Sequence, residues 1–281
     1  MTAGSRATLR VAAAQAESVP DDVVANVATA VSLVGSAAEQ GARVVVLPEL
    51  FLTGYAPEVW SAGHGVDPAD GRLEPLGRAA AEHGVVVVAS AAVRRPPEGP
   101  LPARHTLSVV VLDGAGETHV AYDKQHLVDA EPAFFTPGDH GASIVVDGWE
   151  LGLGICYDGC FPEHAAAAAR DGAAAYLVPA AYLVGSEHRR DLYYAARALD
   201  NGIYVVLAGL VGSCGELDLS GGSAVYDPEG RALARVGVEA PAVVAADLHV
   251  DEVARVQQMN PISRDRLASL GRRSRLELGV R

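Results

Sequence analysis

Apolar and polar positions along this chain switch repeatedly between a strand-like and a helix-like spacing, and the two kinds of stretch follow one another from end to end. Leu9-Arg-Val-Ala-Ala-Ala-Gln15 reads as a first strand. Between Pro20 and Gln40 the apolar residues fall at 23, 24, 27, 31 and 34, which places them on one face of a helix. Asp21 and Asp22 suit its start and Gly41 its end. Val44-Val-Val-Leu47 is apolar throughout, the pattern of a buried strand. A helix is expected from Leu73 to His83, ending at Gly84, then a long strand from Val85 to Val93. Another strand, Thr106 to Leu112, ends in the turn Asp113-Gly114. The apolar run Trp149 to Ile155 reads as a buried strand too. After it come a helix from Glu163 to Arg170, a strand from Tyr176 to Val178, a helix from Arg189 to Leu199 and a strand from Ile203 to Ala208. Ala224 to Tyr226 and Val243 to Leu248 complete the series, with the turn Asp227-Pro-Glu-Gly230 between them.

A weak internal repeat organises this order. Gly41-Ala-Arg-Val-Val-Val-Leu-Pro48 resembles Gly172-Ala-Ala-Ala-Tyr-Leu-Val-Pro179, each reading as helix, Gly-Ala, buried strand, Pro. Two related halves with β-rich insertions fit two sheets, each covered by helices on its outer face. No Ser/Gly-rich linker divides the 281 residues, so a single domain is expected, with its core at about 8–260. Residues 94–104 are a Pro-rich loop between strands. The tail over 264–281 is polar, Arg-rich and weakly patterned, as an oligomer arm or a frayed end would be.

Composition narrows the function classes. Hydrophobic residues make up 49% and charged residues 20%, which allows a large core. Aromatic residues are only 5%, so Ala and Val must fill that core. A net charge of −13 provides no basic footprint for nucleic acid or an anionic membrane. Met1 to Arg10 carries two arginines and no apolar stretch, unlike a signal peptide. No apolar run approaches the ~18–20 residues that span a bilayer. Three cysteines, at 156, 160 and 214, argue against a disulfide framework and for the reducing cytoplasm. Without a CxxC pair or an HExxH motif, no zinc site is expected.

The chemistry concentrates in Gly152-Leu-Gly-Ile-Cys-Tyr-Asp158 and the Gly159-Cys-Phe-Pro-Glu163 that follows. Cys156 stands at the turn from a buried strand to a small-residue helix, where backbone N–H groups and the helix dipole favour a thiolate. A lone cysteine is as readily a small buried hydrophobe. Glu49, in Val46-Leu-Pro-Glu-Leu-Phe-Leu-Thr-Gly-Tyr55, has nearly all-apolar neighbours. Desolvation there raises a carboxyl pKa, which suits a general base near neutrality. Lys124, in Ala121-Tyr-Asp-Lys-Gln-His-Leu127, is by default a solvated loop charge. Beside a thiolate its ammonium would depress the thiol pKa and stabilise an oxyanion. Glu131, followed by Phe134 and Phe135, is the second carboxylate of interest, with a surface loop as its ordinary alternative.

Together Leu-Pro-Glu49, Tyr-Asp-Lys124-Gln-His-Leu and Gly-Ile-Cys156-Tyr-Asp with Phe-Pro-Glu163 resemble the nitrilase superfamily of carbon–nitrogen hydrolases, most closely its amidase and carbamoylase branches. The resemblance covers about residues 8–260, and its motifs occur in the family's order. It implies an α/β fold, a four-layer αββα sandwich with two internally related halves. It also implies a Glu49-Lys124-Cys156 triad, a second catalytic glutamate at Glu131, no metal or organic cofactor, and a homodimer or larger homo-oligomer. The expected reaction is hydrolysis of a small-molecule amide or N-carbamoyl group through a thioester on Cys156, with ammonia or an amine released. Nitrile hydrolysis fits less well. The backbone N–H of Tyr157 joins Lys124 in holding the oxyanion. Acyl transfer on the same scaffold and a catalytically silent binding or assembly protein are the alternatives. A glutaminase of the nucleophile-elbow type is excluded, because it needs G-x-C-x-G and His-x-Glu, whereas Asp158 and His249-Val-Asp-Glu252 stand here.

Tyr55, Trp60, Phe134 and Tyr182 are candidates for lining the substrate pocket, and ordinary core positions suit them equally. Asp158 is read as a cap of the following helix. Cys160 is read as a packing residue, and Cys214, in Gly212-Ser-Cys-Gly215, as part of a flexible loop. His188-Arg-Arg190 either meets a substrate carboxylate or begins a solvated helix.

Overall fold

The computed structural model describes residues 7–61, 63–97 and 102–279. Its first half runs β1 (Thr8–Gln15), α1 (Val23–Glu39), β2 (Val44–Val46), α2 (Glu74–His83), β3 (Val86–Arg95), β4 (Arg104–Leu112) and β5 (Thr118–Asp123). The second half begins with β6 (Ser143–Val146), β7 (Trp149–Leu153), α3 (Pro162–Arg170), β8 (Ala175–Ala180), α4 (Glu187–Asn201) and β9 (Tyr204–Gly209). A hairpin of β10 (Val211–Cys214) and β11 (Leu217–Ser220) precedes β12 (Ala224–Tyr226) and β13 (Ala232–Arg235). The chain closes with β14 (Ala242–His249), α5 (Val250–Met259) and α6 (Ile262–Asp265).

Two six-stranded sheets result, ordered β14-β1-β2-β3-β4-β5 and β13-β12-β9-β8-β7-β6. Read from β14 and from β6, they follow one scheme. Each has a parallel centre of three strands, one antiparallel strand on one flank and an antiparallel pair on the other. The repeated Gly-Ala-strand-Pro segments fall on β2 and β8, the middle strands of the two parallel centres. With helices flanking the sheets, the architecture is the α/β sandwich that the sequence pattern implied.

Each parallel strand is buried on both faces, and its residues divide between two cores. Val44 and Val46 of β2 join the cluster that includes Leu151, Leu153 and Leu177 of the opposite sheet. Val45 joins Val27, Leu33 and Leu76 of α1 and α2. Side chains alternate across a pleated strand, so an unbroken apolar run serves both layers. Each fully buried valine contributes about 1.5–3 kcal/mol by leaving water. No helix among the described residues is long and apolar enough to cross a membrane.

The strands β5, β6, β10, β11 and β13 and the helix α5 are additional to the elements read from spacing. Several are short or lie at sheet edges, where one solvated face weakens the apolar pattern. Cys214 is a correction: it ends β10, pairs with Leu217 across the hairpin and is fully buried, not part of a flexible loop. The flanking glycines that suggested flexibility adopt positive φ at the hairpin, where a side chain is disfavoured.

Gly154, just beyond β7, shows how tightly the sheet end is packed. A Cβ there would overlap the hydroxyl and ring of Tyr176, which is itself fully buried on β8. Gly154→Ala is expected to lower stability by about 1–3 kcal/mol through overpacking. Urea unfolding reads this as a lower midpoint, and an unchanged midpoint would contradict the packing described.

Candidate active site

Glu49, Lys124 and Cys156 all follow strand ends, at β2, β5 and β7. In open α/β sheets the carboxyl ends of parallel strands are where ligands collect, because the loops there diverge. Local hydrogen bonds hold each segment. The N–H of Leu50, a residue at φ +47°, donates to Ser90 Oγ at 3.1 Å, fixing the turn after Glu49. Lys124 N donates to Leu107 O at 2.8 Å, and Gly138 N donates to Lys124 O at 2.9 Å. Glu131 opens a short 3-10 turn, and Val128 N donates to its Oε2 at 3.0 Å.

These segments bring three charged groups together in the interior. Lys124 Nζ donates to Glu49 Oε1 at 2.7 Å and to Glu131 Oε1 and Oε2 at 2.7 and 2.8 Å. The Tyr55 hydroxyl donates to Glu131 Oε1 at 2.7 Å. Glu49, Lys124 and Glu131 have no solvent exposure, and Cys156 has 8%. Glu131 is therefore not a surface loop residue, and Lys124 is not a solvated charge.

Burial raises the Glu49 carboxyl to about 7, with Lys124 pulling down and the Glu131 charge pushing up. Burial alone would lower the Lys124 pKa, yet Glu49 and Glu131 outweigh it and keep the ammonium charged. Cys156 departs from the expectation of a resting thiolate. Burial and the Glu49 charge push its thiol well up, and Lys124 and a hydrogen bond to Ala181 O only partly oppose them. The helical segment after it, Cys156–Cys160, is five residues of 3-10 turn, too short for a substantial dipole. The neighbouring thiol favours the ionised form of Glu49. Glu49 Oε2 nevertheless has no partner at full hydrogen-bond geometry among the described residues. A buried acceptor beside a thiol is suited to receive its proton.

Cys156 has φ +42°, a region that ordinary side chains avoid. The Tyr194 hydroxyl, buried on α4, donates to the Cys156 carbonyl at 2.9 Å and holds that conformation. The Tyr157 N–H stands in the first turn after Cys156, where no intrahelical carbonyl precedes it.

Asp158 caps the 3-10 segment Cys156–Cys160, where its carboxylate accepts from the N-cap Ile155 N–H, and not α3, whose N-cap position Phe161 has no side-chain cap. It is buried and also joins the Cys156 loop to the Lys124 segment. Its Oδ2 accepts from Ile155 N at 3.0 Å and from the Tyr122 hydroxyl at 2.7 Å. Its Oδ1 accepts from His126 N at 2.9 Å and lies 2.8 Å from His126 Nδ1. His164 continues the network between the hydroxyls of Tyr122 and Tyr176, at 2.9 and 2.8 Å. Tyr122 stood in the Lys124 motif without a role of its own, and no role was assigned to Tyr194 or His164, since a buried tyrosine or histidine reads as core until its partner is seen.

A cavity of about 350 Å³ opens over Cys156, with Tyr55, Trp60, Tyr157, Tyr182 and Tyr193 among its walls. Glu49, Lys124 and Glu131 do not line it and stand behind the thiol. Phe134 is a correction, because it does not line the cavity. It stacks behind Trp60, with ring centroids 6.0 Å apart, and against His105 at 4.5 Å. Cys160 does line it, with Sγ 3.4 Å from the Tyr182 hydroxyl. Arg190 is buried and donates to Ser220 O and Oγ and Gly221 O, leaving only Arg189 of its pair at the cavity. A second cavity, about 400 Å³, lies beside His126 and His164 and contains no member of the Glu–Lys–Cys cluster.

Residues 10–258 match the family model described as carbon-nitrogen hydrolase. An omega-amidase NIT2 of Mus musculus is 30% identical over 267 residues, 91% of this chain and 93% of that protein. A nitrilase of Pyrococcus abyssi is 32% identical over 248 residues, 86% of this chain and 90% of that protein. A solved structure of an amidase from Nesterenkonia sp. AN1 superposes with a TM-score of 0.79 at 31% identity, covering 94% of this chain and 95% of that one. That structure is a glutamine-for-glutamate mutant, and the acetamide moiety of fluoroacetamide is covalently added at its active-site cysteine.

The Tyr194 hydrogen bond can be tested directly. Tyr194→Phe leaves the Cys156 carbonyl without its donor, which costs about 1–3 kcal/mol for a buried group. A lower unfolding midpoint and a several-fold slower alkylation of Cys156 by iodoacetamide are expected. If both stay at wild-type values, the hydroxyl does not hold the loop.

Proposed function

This chain belongs to the carbon–nitrogen hydrolase family, and we propose that within it the protein hydrolyses the amide or N-carbamoyl bond of a small molecule through a thioester on Cys156. The observation that carries this reading is the placement of a thiol on the cavity wall with Glu49, Lys124 and Glu131 buried behind it. Glu49 Oε2 takes the thiol proton as the sulfur attacks the carbonyl carbon. The raised pKa of Glu49 matches it to this transfer near neutrality.

Lys124 offers three N–H groups, and its three close contacts to Glu49 and Glu131 engage them at rest. Protonation of Glu49 weakens its hold on the ammonium just as negative charge appears on the substrate oxygen. Lys124 is then free to share a donor with the oxyanion, together with the Tyr157 N–H. The proton on Glu49 passes to the departing nitrogen, and the C–N bond breaks to leave a thioester. Water enters, gives a proton to Glu49 and attacks the thioester, and the acid leaves as the thiol recovers its proton. Glu131 fixes Lys124 throughout and is itself fixed by Tyr55 and the Val128 N–H. A small amide is favoured over a nitrile by the residues after Cys156, Tyr-Asp and then Phe-Pro-Glu163, which resemble the amidase and carbamoylase branches.

Exposed leucines support a homodimer or larger assembly. Leu192 and Leu199 on α4 are 59% and 43% exposed, and Leu267 and Leu270 beyond α6 are 68% and 88% exposed. Exposed apolar residues that form one continuous patch mark an interface, and size-exclusion chromatography reads the resulting assembly.

Ammonia or amine release from a panel of amides and N-carbamoyl amines tests the reaction. Cys156→Ala is expected to abolish release, and Lys124→Ala to reduce it by about 10³-fold or more. A Cys156→Ala protein with full activity would end this reading. The pH profile tests Glu49. Only its ionised form accepts a proton, so kcat/KM rises with pH and levels off above about 7. A profile flat from about pH 5.5 to about pH 8.5 would remove Glu49 as the base.

A further inference from the structure

Away from the substrate cavity, two histidines and a carboxylate meet in a manner that the reaction does not use. Asp158 Oδ1 stands 2.8 Å from His126 Nδ1 and 4.0 Å from His164 Nε2, and one ligand atom from each residue falls within 4.8 Å of the others. Asp158 and His164 are buried and His126 is half-buried. Both imidazoles are already oriented. His126 stacks on Phe161 with ring centroids 3.9 Å apart, and His164 Nδ1 lies 2.8 Å from the buried Tyr176 hydroxyl. A partner on one ring nitrogen fixes the tautomer that leaves the other free to ligate. His126 and His164 line the cavity of about 400 Å³ on this side of the molecule, and so do Asp139, Glu150, Glu163 and Asp171. Among the described residues no lysine or arginine lines it, so four carboxylates draw cations toward the two histidines. A comparable group, Asp113 with Glu117 and His119, lies at the surface, and its aspartate already accepts from the Ala115 and Glu117 N–H groups of a turn.

We propose that His126, Asp158 and His164 form a binding site for a divalent transition-metal ion of the zinc class. Two imidazoles and one carboxylate suit zinc or cobalt(II), whereas magnesium and calcium prefer oxygen ligands throughout. The ion displaces the proton that His126 Nδ1 shares with Asp158. Each imidazole binds in its neutral form with its proton on the other ring nitrogen, which for His164 faces Tyr176. Ligands held at about 2.0–2.1 Å around a tetrahedral ion stand about 3.3 Å apart, so His164 and Asp158 close by roughly 0.5–1 Å. The fourth ligand is water from the cavity. His126 follows Lys124 by two residues, Asp158 follows Cys156 by two, and His164 belongs to α3. The ion is therefore a clamp on the two loops that carry active-site residues, and it takes no part in the proposed reaction. Its ligands come from three separate segments, which is why no zinc-motif spacing announced them.

Binding measured apart from turnover tests it. Chelator-treated Cys156→Ala protein, which lacks the active-site thiol as a competing ligand, is titrated with zinc chloride by calorimetry and with cobalt(II) chloride by visible absorption. One ion per chain is expected, with a Kd for zinc of about 1–10 µM, and no binding of magnesium or calcium at the same concentrations. Cobalt(II) is expected to show tetrahedral ligand-field bands without thiolate charge-transfer absorption. At about 100-fold excess over Kd, zinc is expected to raise the thermal unfolding midpoint by several degrees. His126→Asn and His164→Asn are each expected to weaken zinc binding by about tenfold or more and to remove that rise. Should a histidine variant fail to fold, the double variant Glu163→Gln, Asp171→Asn retains all three ligands and changes only exposed positions of the cavity. Its zinc affinity is expected to fall several-fold at low salt and little at high salt. An absence of zinc binding, thiolate absorption with cobalt(II), equal binding of magnesium, or zinc binding that survives either histidine substitution would each overturn the inference. In the double variant, affinity unchanged at low salt would do the same.

Discussion

An ammonium without solvent exposure can persist only where carboxylates surround it, and the structure around Lys124 is arranged to satisfy that demand. Desolvating a lone charge costs several kcal/mol, and removing one partner of a buried pair costs about 3–5 kcal/mol. Glu49 and Glu131 both approach Nζ to 2.7 Å. Meeting this condition constrains three separate elements: the turn after β2, the end of β5 and the 3-10 turn that begins at Glu131. Burial has a chemical consequence as well. Desolvation, with the Glu131 charge adding to it, raises the Glu49 carboxyl to about 7 although Lys124 opposes the shift. The same shortage of solvent that raises Glu49 keeps Cys156 as a thiol. A carboxyl that titrates near neutrality and a neighbouring thiol that keeps its proton are thus two results of one electrostatic balance.

The second constraint is alignment, since charges on loops of different strands must stay in register. Asp158 does this by tying the loop after β7 to the segment that holds Lys124, through Ile155, Tyr122 and His126. His164 and Tyr176 extend the link to α3 and β8. A fully buried carboxylate with several donors is a rigid joint, because each bond lost would leave an unsatisfied group in the interior. The internal relation of the two halves contributes here too. The middle strands β2 and β8 end near one another, so Glu49 after one sheet and Ala181 after the other both reach Cys156.

Chemistry and recognition occupy different depths. The charged cluster lies behind the thiol, shielded from water, and the cavity in front is built from tyrosines, Trp60 and Arg189. The wall residues can therefore vary without disturbing the charge balance behind them.

The chain's apolar spacing alone determined the parallel strands, their covering helices and the correspondence of β2 with β8, because burial on two faces leaves a pattern that needs no partner to be read. Glu49, Lys124 and Cys156 were legible for a related reason. A glutamate wrapped in apolar residues and a cysteine at a strand end are locally unusual, and short motifs around them carried a family resemblance. Edge elements such as β6 and β13, the buried hairpin of Cys214, and the partners Tyr194, Tyr122 and His164 were not legible, since their roles depend on residues far away in sequence. Phe134 and Cys160 show the same limit: one lies behind the cavity wall and the other on it, although both stand near motifs. Asp158 looked like a helix cap from its position, and only the approach of Tyr122 and His126 made it a joint. The protonation of Cys156 was likewise decided in three dimensions. Local sequence offered a helix N-terminus and a lysine, but burial and the facing charge of Glu49 set the result, and both arise only when distant strand ends meet.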